Sequence, residues 1–126
     1  MAGTDYLFEA EMTVTIYHNP RCSKSRETLA LLQEQGVEPE ILLYLENPPS
    51  KAALKALVKK LGLGSAREMM RAREAPYIDL KLDGVKAETA LIDAMVENPI
   101  LIERPIVIKG EKAAIGRPPE AVLDIL

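Results

Sequence analysis

Two strands joined by a helix, then a stretch of helices, then a hairpin closed by a last helix: the 126-residue sequence predicts an α/β fold with a mixed sheet. Three observations carry that expectation. A β-branched and aromatic run at 13–17 is followed by a helical pattern and a second short apolar run at 41–45. Helical spacing punctuated by Gly and Pro fills the middle of the chain. Near the end, Gly110-Glu111 separates two further apolar runs, 105–108 and 113–115, as a two-residue hairpin turn with Gly in its first central position.

Taken in order, 13–17 (Thr-Val-Thr-Ile-Tyr) has strand composition. Leu29, Leu31 and Leu32 mark the inner face of a helix over 23–35, stopped by Gly36. The run 41–45 is too short for a helix and reads as a strand buried on both faces. A right-handed crossover then makes the first two strands parallel. Ser50 is the expected N-cap of a helix through Leu61, with Leu54, Leu57, Val58 and Leu61 on one side and lysines on the other. Ser65 with Glu68 forms a capping-box pattern for a short helix through Arg73, which Pro76 stops. Leu91, Ile92, Met95 and Val96 turn inward on a helix over 87–96, closed by Asn98-Pro99. Pro118 and Pro119 suit the first turn of a last helix over 120–126.

A β-α-β half and a β-β-α half describe a thioredoxin-like fold, with a helical insertion at about 50–98 inside one domain, 12–126. Residues 1–11 read as a mobile extension without the basic start and apolar middle of a signal peptide. The charged fraction of 28% and net charge of −3 are those of a soluble protein, and they argue against non-specific nucleic-acid binding. No apolar run approaches the roughly 18 residues that a membrane span needs. A single cysteine excludes an internal disulfide. Cytoplasmic residence as a monomer is the expectation.

That cysteine, Cys22, is the most informative residue. It lies in His18-Asn19-Pro20-Arg21-Cys22-Ser23-Lys24-Ser25-Arg26, where the strand pattern hands over to the helical one. A helix N-terminus carries roughly half a positive charge. Together with flanking cations it favours the nucleophilic thiolate over the thiol. The position is also the carboxyl end of the first strand, where open α/β sheets bind ligands. His18 can act as a cation or hydrogen-bond partner of the thiol, or can satisfy loop backbone groups. Ser25, in Cys-x-x-Ser, can donate to the sulfur or, more simply, cap the helix. With no second thiol, any disulfide step needs an external one.

Arginine grips tetrahedral oxyanions best, through a planar fork that keeps its charge. Arg104 and Arg117 each precede a proline near the end of an element, and Arg67 and Arg71 stand four apart on one expected helix face. Arg26, Arg67 and Arg73 read as solvated surface charges. Arg104-Pro105 precedes the third strand, where thioredoxin-like folds hold a cis-proline. Two chemistries drop out. Cys-x5-Arg of the cysteine phosphatases would need arginine where Thr28 stands, and one Cys with one His makes no metal set.

Four separated blocks occur in one order: Ile16-Tyr17-His18-Asn19-Pro20-x-Cys22-x-x-Ser25-Arg26, Tyr44-Leu45-Glu46-Asn47-Pro48-Pro49, Asn98-Pro99-Ile100-Leu101-Ile102-x-Arg104-Pro105-Ile106, and Arg117-Pro118. Together they resemble the ArsC family of glutaredoxin-linked arsenate reductases. The chain stops soon after the last block, more like the short YfgD-like branch than the longer plasmid-type enzymes. The resemblance implies Cys22 as the nucleophile on arsenate, His18 and Ser25 as tuners of its thiolate, and Arg71, Arg104 and Arg117 as the oxyanion-binding arginines. It further implies glutathione as co-substrate, glutaredoxin as the partner that regenerates the cysteine, and no bound cofactor or metal. Two other functions fit the same frame: an Spx-like regulator that binds RNA polymerase, against which Cys-x-x-Ser counts, and a general glutaredoxin-type thiol oxidoreductase.

Overall fold

The computed structural model describes residues 13–126, so the expected extension at 1–11 lies outside the described residues. The described residues form two compact units: Tyr44–Glu103, and 13–43 together with Arg104–Leu126.

The second of these holds the sheet. Its elements are β1 (Val14–Tyr17), α1 (Ser23–Glu34), β2 (Glu40–Leu42), β3 (Ile106–Lys109), β4 (Lys112–Ile115) and a closing 3₁₀ helix, Pro119–Ile125. The strand order is β2-β1-β3-β4. β1 runs parallel to β2 and antiparallel to β3, and β3 pairs antiparallel with β4. This is the mixed α/β sheet expected. Lys109 pairs with Lys112, so Gly110 and Glu111 make the whole turn. Gly110 has φ +60°. Positive φ at the first central position alone is the II′ pattern, whose twist matches that of the strands. Val14, Ile16, Leu32, Val107 and Val122 form the core between sheet and helices.

Two expectations fail here. The run 41–45 is not a strand buried on both faces: β2 has three residues and lies at the sheet edge, with Ile41 47% exposed. Its apolar side chains mislead because an edge strand is covered on fewer sides than its composition suggests. The last helix is 3₁₀ and starts one residue early, at Pro119.

Tyr44–Glu103 is built from helices: α2 (Lys51–Lys60), α3 (Ala75–Asp79) and α4 (Glu88–Glu97), with short 3₁₀ turns at Ala66–Met69, Leu82–Gly84 and Pro99–Leu101. Ser50 caps α2 as expected, its Oγ accepting from Ala53 N at 3.1 Å. α2 packs against α4, burying Leu54, Leu57, Leu91, Ile92 and Met95. The capping box at Ser65 and Glu68 is present.

The helix behind that capping box is not the expected one. It ends at Met69, because both Met69 and Met70 are buried and the chain turns extended to bridge Ile102. Arg71 N donates to Leu101 O at 2.7 Å, and Glu103 N donates to Met69 O at 2.8 Å. Arg67 and Arg71 therefore do not share a helix face. Pro76, expected as a stop, instead stands in the first turn of α3, where no N–H is needed. Among the described residues no helix is long and apolar enough to cross a membrane.

Candidate active site

Cys22 is the N-cap residue of α1, with extended backbone (φ −94°, ψ 123°), and its carbonyl accepts the first helical bond, from Arg26 N at 3.0 Å. The residues before it form a tight loop. Cys22 N donates to Asn19 O at 3.0 Å, and Arg21 N donates to Asn19 Oδ1 at 3.0 Å. Arg26 reaches back from the helix to Pro20 O at 2.9 Å. The thiol is partly exposed and sits at the positive end of α1, as expected.

No side chain caps α1. Ser25, for which capping was the simpler expectation, turns its hydroxyl into the loop instead. Its Oγ accepts from Asn19 N at 3.0 Å and lies 2.6 Å from His18 Nδ1. The imidazole tautomer sets which of the two groups donates in that contact. Both side chains are buried. Burial, and after it the charge of Arg26, push the His18 pKa below its usual value. The environment thus favours neutral imidazole over the cation, and the recorded partner of the ring is the Ser25 hydroxyl rather than the thiol.

Arg117 completes the thiol's surroundings. Its Nε donates to Arg104 O at 2.8 Å, and its Nη2 lies 3.7 Å from Cys22 Sγ. The guanidinium is thereby steered by a backbone carbonyl toward the sulfur. Arg104 is partly buried, with Nε and Nη1 shielded from solvent. The bonds Arg104–Pro105 and Arg117–Pro118 are both cis. Between these two turns Gly116 N donates to Pro105 O at 2.9 Å. A Cβ on Gly116 would fall 2.6 Å from Thr28 Oγ1 and 2.8 Å from Pro105 Cγ, so the close approach of hairpin and α1 uses its missing side chain.

Arg71 belongs to Tyr44–Glu103 and is held there by two carboxylates. Nε lies 3.1 Å from Glu74 Oε1 and Nη1 lies 3.0 Å from Glu103 Oε1. Arg67, expected as a solvated charge, is a structural clamp: Nη1 donates to Tyr77 Oη and to Leu82 O, and Nη2 donates to Val85 O. Sequence reasoning missed Asn19, which organises the cysteine loop through three of its polar groups. An Asn before Pro, three residues ahead of a helix N-cap, was the available signal. Among the described residues, no three His, Cys, Asp or Glu side chains stand close enough together to hold a metal ion.

A single thiol at a helix N-terminus, at the carboxyl end of β1 and beside an arginine, lies on a thioredoxin-like sheet. The sequence model of the ArsC family matches residues 17–125, and the chain belongs to that family. The YfgD protein of Escherichia coli strain K12 is 62% identical over 114 residues, covering 90% of this chain and 96% of the relative. The arsenate reductase of Haemophilus influenzae is 54% identical over 116 residues, covering 91% of this chain and all of its own length (100%). The solved structure of an arsenate reductase from Vibrio cholerae matches with a TM-score of 0.89 and 54% identity, covering 91% of this chain and 98% of that one.

Proposed function

We propose that the protein reduces arsenate to arsenite, with Cys22 as the nucleophile. The observation that carries this reading is the guanidinium of Arg117 at 3.7 Å from Sγ, beside the N-terminus of α1. A cation there stabilises negative charge on sulfur, and a guanidinium is the side chain whose shape best suits an oxyanion brought to that sulfur. Relatives named arsenate reductase and sharing about half their residues support the same substrate.

The chemistry closes as follows. The Cys22 thiolate attacks arsenic(V), forming an S–As bond as one arsenate oxygen leaves as water. A glutathione thiolate then attacks the Cys22 sulfur. The S–As electron pair passes to arsenic, which departs as arsenite, and a Cys22–glutathione disulfide remains. Glutaredoxin takes up the glutathionyl group and returns the thiol. Arg104 and Arg117 hold the oxyanion in this scheme, and Arg71 is assigned the same task by family resemblance. His18 and Ser25 fix the loop that carries the thiol and so set its surroundings. The protein acts as a cytoplasmic monomer without a resident cofactor.

The test is a glutathione-reductase-coupled assay. NADPH consumption requires arsenate, glutathione, glutaredoxin and the protein together, and Cys22→Ser abolishes it. Turnover that persists in Cys22→Ser sinks the proposal. So does a wild-type protein that reduces a glutathionylated model disulfide but leaves arsenate untouched.

A further inference from the structure

Arg71 differs from an ordinary oxyanion-gripping arginine in the company it keeps. Two of its N–H groups are already directed at carboxylates, Nε at Glu74 and Nη1 at Glu103. All three side chains are about a quarter exposed, so solvent screens them only in part. Two of the three are also fixed from below. The Met70–Ile102 bridge, with Arg71 N on Leu101 O and Glu103 N on Met69 O, sets Arg71 opposite Leu101 and Glu103 opposite Met69, which makes Arg71 and Glu103 diagonal neighbours across the two segments. That register brings the two side chains within reach, while Glu74 follows three residues after Arg71.

An arginine alone attracts any tetrahedral oxyanion, and the more highly charged the better. The Arg71–Glu74–Glu103 triad carries one positive and two negative formal charges, and its carboxylates are acceptors only. An oxyanion that accepts from the remaining N–H groups of Arg71 comes up beside carboxylate oxygens. If that anion bears a hydroxyl, it donates to a carboxylate while accepting from the guanidinium, and every group is satisfied. If it bears none, two acceptors face each other with like charge, which is strongly unfavourable. At neutral pH arsenate and phosphate keep a hydroxyl, whereas sulfate keeps none.

We infer that Glu74 and Glu103 make Arg71 selective for oxyanions that carry a proton, so that sulfate is rejected while arsenate and phosphate are admitted. This rests on the reading that Arg71 takes the substrate oxyanion. The selectivity comes from a repulsive element set beside an attractive one, which is the general route to discriminating similar ligands.

Isothermal titration of the full chain at neutral pH with arsenate, inorganic phosphate and sulfate tests it, with no reductant chemistry involved. The wild-type protein should bind sulfate at least about tenfold more weakly than phosphate, a gap equal to about 1.4 kcal/mol. Glu74→Gln and Glu103→Gln each replace an acceptor by a group that can donate, so each should narrow that ratio, and the double variant should narrow it most. Sulfate binding as tight as phosphate in the wild-type protein overturns the inference before any variant is made. A ratio unchanged in both glutamine variants overturns it too. Arg71→Ala separates the two layers. Loss of affinity for both anions in Arg71→Ala, with an unchanged ratio in the glutamine variants, removes the selectivity and leaves the substrate role of Arg71 standing. Unchanged affinity in Arg71→Ala removes both, and leaves the coupled assay of Cys22 to stand or fall separately.

Discussion

Arg117 and Arg71 are assigned one task and are held in two different ways. Arg117, in the unit that carries the sheet, has its Nε on the carbonyl of Arg104 and its Nη2 toward the Cys22 sulfur. Arg71, in the helical unit, has Nε and Nη1 on the carboxylates of Glu74 and Glu103. A carbonyl aims a guanidinium without cancelling its charge, whereas a carboxylate aims it and offsets the charge as well. Arg67 marks the third case, with its fork given over to a phenol oxygen and two carbonyls and none of it turned to chemistry. Under the roles proposed above, the partner of each arginine, more than the arginine itself, distinguishes a guanidinium turned to the thiol from one shared between carboxylates and one given to scaffolding.

The strongest way to break this comparison is Arg117→Ala. If Arg117 supports the charge that moves through sulfur and oxyanion, its loss should cost about 3–4 kcal/mol of transition-state stabilisation, or roughly 10²- to 10³-fold in kcat/KM. The coupled assay reads it, and circular dichroism should show an intact fold because the side chain is exposed. A loss below about tenfold would place Arg117 outside the chemistry. Arg67→Ala should behave in the opposite sense. It strands the carbonyls of Leu82 and Val85 and the Tyr77 hydroxyl, so about 2–3 kcal/mol of stability should go in urea unfolding. Turnover per folded molecule should stay near wild type. A large activity loss without loss of stability would reassign Arg67 to the reaction.

Much of the fold was legible where its signals are local. The β-branched run of β1, the Gly110 turn and the Ser50 cap each depend on a few neighbouring residues, and each formed where composition placed it. The position of Cys22 at the first turn of α1 was legible for the same reason. What failed depended on partners distant in sequence. The capping box at Ser65 correctly opened a helix, but the length of that helix was decided by the segment of Ile102, opposite which Met70 is bridged. The exposure of Ile41 followed from strand order, which periodicity cannot supply. The direction of the Ser25 hydroxyl turned on His18, seven residues away and on the other side of the loop.

Ser25→Ala sharpens the comparison within the loop itself. It removes the acceptor of Asn19 N and the partner of His18 Nδ1 in one step, both at a buried position. Leaving buried polar groups unpaired costs about 1–3 kcal/mol, so the midpoint of urea unfolding should fall accordingly. The thiol loop should also loosen, and kcat/KM should drop by less than in Arg117→Ala, because Ser25 supports the loop rather than the sulfur. A Ser25→Ala protein as stable as wild type would mean that the Ser25–His18 pair does not hold the loop.

The smallest effect concerns pH. His18 is the only histidine, and its folded-state pKa is lowered by burial and by Arg26. The unfolded chain therefore binds a proton at His18 more readily than the folded one, near the usual value of about 6.5. By linkage, stability from this group is intact above that value and is lost as pH falls through the lower folded pKa. Urea unfolding between neutral and mildly acidic pH should show this decline. His18→Gln should flatten it, since glutamine has nothing to titrate. Arg26→Gln should shrink it, because one of the two causes of the lowered pKa is gone while burial remains. The imidazole proton resonances of the lone histidine report the same shift directly. If they titrate at the ordinary value in the folded protein, burial and Arg26 would not be favouring the neutral imidazole beside Ser25.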